Sequence, residues 1–231
     1  MNKKVIVLFV CLLAILLLYF GYGEYKKYKY ESYAKQYKEY IFTAAEISKF
    51  VIAKTDEIKT ASTILKNKHE KAYYKDKKEA ERFGFMVFEY IYDNNWQLDD
   101  IKTYSKVILD SCMREAGICL NEMRSYNEYP FDHQSFERAI KLLRPIIRQY
   151  NEGAFTKDFY QSSMKELQNI DDCLSETDAS FGEISQREQK RVKSMAKQII
   201  HKSYHGKGGM IMELDSRFGG MYYTAVEMRL K

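Results

Sequence analysis

Proline is nearly absent from this chain, with only Pro130 and Pro145 in 231 residues. Glycine is also sparse, at eleven residues. Without these breakers long helices are expected, and a turn-rich all-β fold is excluded. Histidine occurs four times, at the scattered positions His69, His133, His201 and His205. No Ser/His/Asp or Cys/His pattern of nucleophilic catalysis forms around them. Cysteine is scarce too. Cys11 falls in an apolar run, leaving the odd set Cys112, Cys119 and Cys173, which is no disulfide framework. On an unbroken helix Cys112 and Cys119 lie two turns apart, roughly 10 Å of rise and beyond disulfide reach. Either Gly117 breaks the helix there, or Cys173 is a partner, or all three are reduced, small core residues.

Aromatic residues are abundant: twenty tyrosines and thirteen phenylalanines against the single Trp96. Such a composition argues against disorder, because disordered segments lack the apolar surface that offsets chain entropy. The net charge of +5 is unevenly spread. Residues 1–23 carry +2, 24–78 carry +6, 79–150 carry −3, 151–184 carry −6 and 185–231 carry +6. Basic ends around an acidic middle can satisfy one another on folding. The sharper alternative is a basic end that meets anionic lipid or another acidic partner.

The chain is organised by its first sixty-five residues. Val5 through Phe20 contains no charge and follows Lys3 and Lys4. Residues 5–22 are therefore expected to form a membrane anchor, with Tyr19, Tyr22 and Tyr25 at the interface. Cleavage as a signal peptide after Gly23 is the competing reading, and no lipobox precedes Cys11. Lys26, Lys27, Lys29, Lys35 and Lys38 beyond the run favour a cytoplasmic body, whereas the short basic N-terminus favours export. An extracytoplasmic body on a single-pass signal-anchor is the expectation adopted.

Residues 24–68 follow as a membrane-proximal helix with a heptad pattern. Tyr30, Tyr33, Tyr37, Tyr40, Ala44, Ile47, Val51, Ile58, Ala61 and Leu65 occupy ten of eleven successive core positions, with Lys54 the exception. Ala34, Ile41, Phe50 and Ile64 widen the stripe, which suits the first helix of a bundle better than a two-stranded coiled coil. Tyr30, Tyr33, Tyr37, Tyr40, Ile47 and Val51 are the candidate interaction residues, for the chain's own later helices or for a partner chain.

Residues 69–205 read as the rest of the bundle. Residues 66–78 are either a solvated continuation or a bend. A helical face over Ala80, Phe83, Val87, Tyr90 and Ile91 is expected to stop at Asp93, Asn94 and Asn95. A third helix is expected from Asp99 and Asp100 through Ile101, Tyr104, Ile108 and Cys112. Asp132 is a plausible N-cap for a fourth, with Phe136, Ile140, Leu143, Ile147 and Tyr150 inward, a kink or split at Pro145, and a stop at Gly153. Thr156 caps a fifth helix with Tyr160, Leu167, Ile170 and Leu174 on one face. Ser185 and Glu188 form a capping-box pattern for a sixth, which buries Val192, Met195, Ala196 and Ile199. In residues 206–231, Tyr222, Thr224, Val226, Met228 and Leu230 alternate with their neighbours, and a C-terminal β-hairpin is expected. The fold class is thus mainly α, with a transmembrane helix continuing into a helical bundle and a small hairpin at the end.

Candidate chemistry is thin. His201 and His205 share one helical face near Glu213 and Asp215, but a metal needs three or four convergent ligands. Lys207, Gly208 and Gly209 lack the remaining glycine and the hydroxyl of a P-loop. Asp99–Asp100 and Asp171–Asp172 are adjacent pairs that do not face each other on a helix. No motif calls for a cofactor. The basic face Arg187, Lys190, Arg191, Lys193 and Lys197 suits the acidic 151–184 segment, anionic lipid or an acidic partner, and no nucleic-acid motif accompanies it. These features point to a non-catalytic binding, assembly or accessory protein held at a membrane. The alternatives are a membrane-tethered enzyme built from dispersed His and acidic residues, or a secreted helical protein after cleavage.

Overall fold

A computed structural model describes residues 3–73, 77–126, 133–153, 155–181 and 184–205. Side-chain surroundings are described within these from Leu12 onward, except for 65, 68–94, 96, 133, 135, 177–181 and 200–205. The described residues form five helices and no strand. These are α1 (Lys3–Tyr73), α2 (Lys77–Ser125), α3 (His133–Glu152), α4 (Lys157–Phe181) and α5 (Gln186–His205). The expected hairpin at 206–231 and the Asp132 cap lie outside the described residues.

The central element is α1. It packs against each of the other four helices, and its heptad stripe is spent on them. Tyr30, Tyr37, Ala44, Ile47, Val51, Ile58 and Ala61 are buried, and so are Ala34, Ile41, Ala45 and Ile52 beside them. Small side chains at 34, 44, 45 and 48 let neighbouring backbones approach a helix that is enclosed over most of its girth. Ile101, Leu109, Ala116 and Met123 of α2, Ala139 and Leu143 of α3, Leu167 and Ile170 of α4, and Val192 of α5 complete one continuous core.

Three local expectations hold. Thr156 caps α4 by accepting a hydrogen bond from the Phe159 N–H at 3.1 Å. Ser185 caps α5 by accepting from Glu188 N–H at 3.2 Å. Gly153 follows the end of α3 at φ 79°, a left-handed conformation that a side chain resists. Residues 66–73 continue α1.

Three expectations are corrected. The helix across 93–95 is unbroken, so the expected second and third helices are one, α2. Asp and Asn cost only about 0.5 kcal/mol each within a helix, far less than restarting one. Pro145 sits inside α3 without splitting it. The loss of one backbone hydrogen bond there is outweighed by Leu143, Ile146 and Ile147, all anchored in the core around it.

The third correction concerns the membrane. Among the described residues no helix is long and apolar enough to cross one. The uncharged run of α1 ends at Gly23, and the helix goes on through Glu24, Lys26 and Lys27 as a charged, packed element. The expected anchor over residues 5–22 and the single-pass placement with an extracytoplasmic body are therefore not supported.

Candidate interaction surface

The buried core of α1 begins at Tyr30, and the helix projects beyond it. Every residue from 12 to 20 is exposed. Leu12, Leu13, Ile15, Leu16, Leu17, Leu18, Tyr19 and Phe20 present large apolar side chains on all sides, with Leu18 73% and Tyr19 75% accessible. Tyr22, Tyr25 and Tyr28 extend this surface toward the bundle. From Leu12 to Tyr30 the projection spans about 27 Å of helix. At its root the lysine stems lie on aromatic faces, with Lys26 Nζ 4.7 Å from the Tyr22 ring centre and Lys29 Nζ 5.8 Å from that of Tyr25. Cation–π contacts of this kind hold the ammonium groups close to an aromatic collar and leave the rings partly open.

Of the six interaction residues singled out from sequence, Tyr30, Tyr37, Ile47 and Val51 lie in the core, and Tyr33 and Tyr40 are half-buried. Tyr33 stacks on Tyr126 at the end of α2, with ring centres 6.2 Å apart. The Tyr37 ring meets Phe136 of α3 edge-on at 5.3 Å, and its hydroxyl donates to the Phe136 carbonyl. Burial pushes the Tyr30 phenol up to about 12 and the Tyr37 phenol higher still. Both stay neutral and serve as packing groups.

Arg187, Lys190, Arg191, Lys193 and Lys197 of α5 are exposed. Arg191 is held by Glu188, its Nε 2.9 Å from the carboxylate, so this carboxylate turns away from the capping role the sequence suggests. Among the described residues Arg187, Lys190, Lys193 and Lys197 make no ion pair. The acidic α4 is tied to α1 instead. Lys49 lies between Glu46, at 2.9 Å, and Asp171. Its burial works against the charge, but the two carboxylates more than offset this and raise its pKa.

Cys112, Cys119 and Cys173 are free and buried. Gly117 does not interrupt α2, which leaves the reduced-core reading of these thiols. Burial raises Cys112 and Cys119 to about 11, far from the low values that activate a nucleophile. His201 and His205 fall on the last turn of α5, where side chains lie outside the described set. No group of three His, Cys, Asp or Glu placed to hold a metal occurs among the described residues.

Sequence reasoning missed one apolar feature, a groove of about 300 Å³ between α2 and α5. It is lined by Tyr104, Val107, Ile108, Met195, Gln198 and Ile199. Tyr104, Ile108, Met195 and Ile199 read as inward positions, and the signal overlooked was Val107, an apolar residue off that face and 70% exposed.

No protein-family model, curated protein or solved structure matches this chain.

Proposed function

We propose that the protein is a non-catalytic binding or assembly factor that acts by helix packing, with the projecting part of α1 as its docking element. One observation carries this reading: a helix whose large apolar side chains are exposed on every side over residues 12–20. Exposed patches of this extent are costly in water, and covering a Leu, Ile or Phe side chain contributes up to roughly 1.5–3 kcal/mol. Seven such neighbours, with Tyr19 among them, supply ample drive for association with another helical surface. The five-helix body then serves as the rigid base that presents the projection. Its tyrosines suit a rim around a docked partner, since their rings pack while their hydroxyls remain wet.

The test replaces Leu13, Leu16, Leu17 and Phe20 together by Gln in the full chain. Light scattering on the wild-type protein, purified natively through an affinity tag, is expected to give a mass above the 27.4 kDa of one chain. The substituted protein is expected to return to that single-chain mass with its melting temperature unchanged. A wild-type mass of one chain contradicts the proposal.

A further inference from the structure

Where α1, α2 and the turn between α3 and α4 meet, the surface opens into a cleft of about 420 Å³. Thr55 and Lys59 come from α1, Leu98, Asp99 and Lys102 from α2, Tyr150 from α3, and Gly153 and Phe155 from the turn. Residues so far apart in the chain converge because the turn is bent back at Gly153. An added Cβ at Gly153 would stand 3.2 Å from Lys102 Nζ, so the ammonium group reaches close to this backbone. Lys59 Nζ donates to the Phe155 carbonyl at 3.4 Å and lies 5.0 Å from the centre of the Phe155 ring. Two ammonium groups thus converge on one short turn. Among the described residues neither forms an ion pair, and nor does Asp99 in the same wall.

The cleft has the other attributes of a small-molecule site. Its size falls within the range of roughly 300–1,000 Å³ typical of ligand pockets. Leu98 and Phe155 offer apolar walls. Tyr150 is buried, with Thr55 and Ser105 beside its phenol, and it forms the side of the cleft between the three main helices. The ammonium groups of Lys59 and Lys102 reach over the turn, and Asp99 carries the opposing charge.

We propose that this cleft binds a small organic monocarboxylate with a flat apolar body. The carboxylate is held by Lys59 and Lys102, and the apolar body lies between Leu98 and Phe155. The negative charge of Asp99 selects a monoanion over a dianion such as phosphate, and a ligand without an apolar part forgoes both walls.

The experiment is a calorimetric titration of the full chain with benzoate, and separately with inorganic phosphate. Benzoate is expected to bind at least ~10-fold more tightly than phosphate, the scale of one modest apolar contact set. Lys59→Met with Lys102→Met is expected to weaken benzoate at least ~10-fold, and Asp99→Asn to tighten it by ~3-fold or more through removal of a nearby like charge. Lys59 and Asp99 are exposed and Lys102 is half-buried, so unchanged melting temperatures serve as the control for folding. The single variants Lys59→Met and Lys102→Met carry the same test if the double variant melts early. No benzoate binding to the wild type at ~10 mM, a weak limit for a specific site, overturns the proposal. So does equal affinity in the lysine variants, or phosphate binding as tightly as benzoate.

Discussion

The hydroxyl of Tyr37, on α1, donates its hydrogen bond to the main-chain carbonyl of Phe136, on α3, across a separation of 99 residues. The two rings meet edge-on at 5.3 Å in the same place. One side chain therefore supplies packing and polar satisfaction where α3 joins the central helix. Tyr37→Phe keeps the ring and removes the donor, leaving the bond to that carbonyl unmade. A loss of about 1–2 kcal/mol is expected in urea unfolding. Tyr37→Ala removes the ring as well and is expected to cost about 3–5 kcal/mol. Equal stability of Tyr37→Phe and wild type would show that the hydrogen bond contributes nothing net.

A second prediction has the opposite sign. Ser48 is buried in α1, and its hydroxyl has no hydrogen-bond partner among the described residues. Ser48→Ala removes that buried polar group and replaces it with the residue most favourable to helix. A gain of about 1 kcal/mol is expected. Loss of stability in chemical unfolding would mean that the hydroxyl is satisfied in solution.

The buried thiols link stability to alkaline pH. Cys112 and Cys119 rise from an ordinary 9.0 to about 11 because burial disfavours the thiolate. The folded-state pKa is thus above the unfolded one. Their contribution is fully present below pH 9 and is lost as pH climbs from 9 toward 11, where the unfolded chain gains by ionising. The buried phenols of Tyr30 and Tyr37, raised for the same reason, extend the loss to higher pH. Urea midpoints are therefore expected to hold steady from pH 7 to 9 and fall beyond it.

The same thiols make a kinetic readout. The raised pKa lowers the thiolate fraction at pH 8, and burial slows access further. Site-resolved mass spectrometry after iodoacetamide treatment at pH 8 is expected to show Cys112 and Cys119 modified at least ~100-fold more slowly in the folded chain than in denaturant. Comparable rates in both states would place these cysteines at the surface.

The parts of this molecule legible in sequence are those governed by local chemistry. Seven of the ten apolar heptad positions of α1 are buried, and Thr156, Ser185 and Gly153 bound helices because capping and left-handed turns depend on a few adjacent atoms. The continuity of α2 was not legible, since Asp93, Asn94 and Asn95 signal a stop that is energetically weak. The membrane expectation rests on an apolar run with a basic flank and a tyrosine collar, which report a surface that must be covered and not what covers it. Convergence of Lys59, Lys102 and Phe155 in one cleft depends on how four helices stack, and no pattern along the chain encodes that.

The exposed stretch of α1 is the feature on which the functional account depends, and photo-crosslinking tests it most directly. Benzoylphenylalanine is placed at Leu16, on the projection, and at Lys141, an exposed position on α3, and the full-length protein is irradiated in the cells that produce it. A discrete protein–protein adduct is expected from position 16, either a second copy or another chain, and none from position 141. Absence of any protein adduct at position 16 would contradict the functional account.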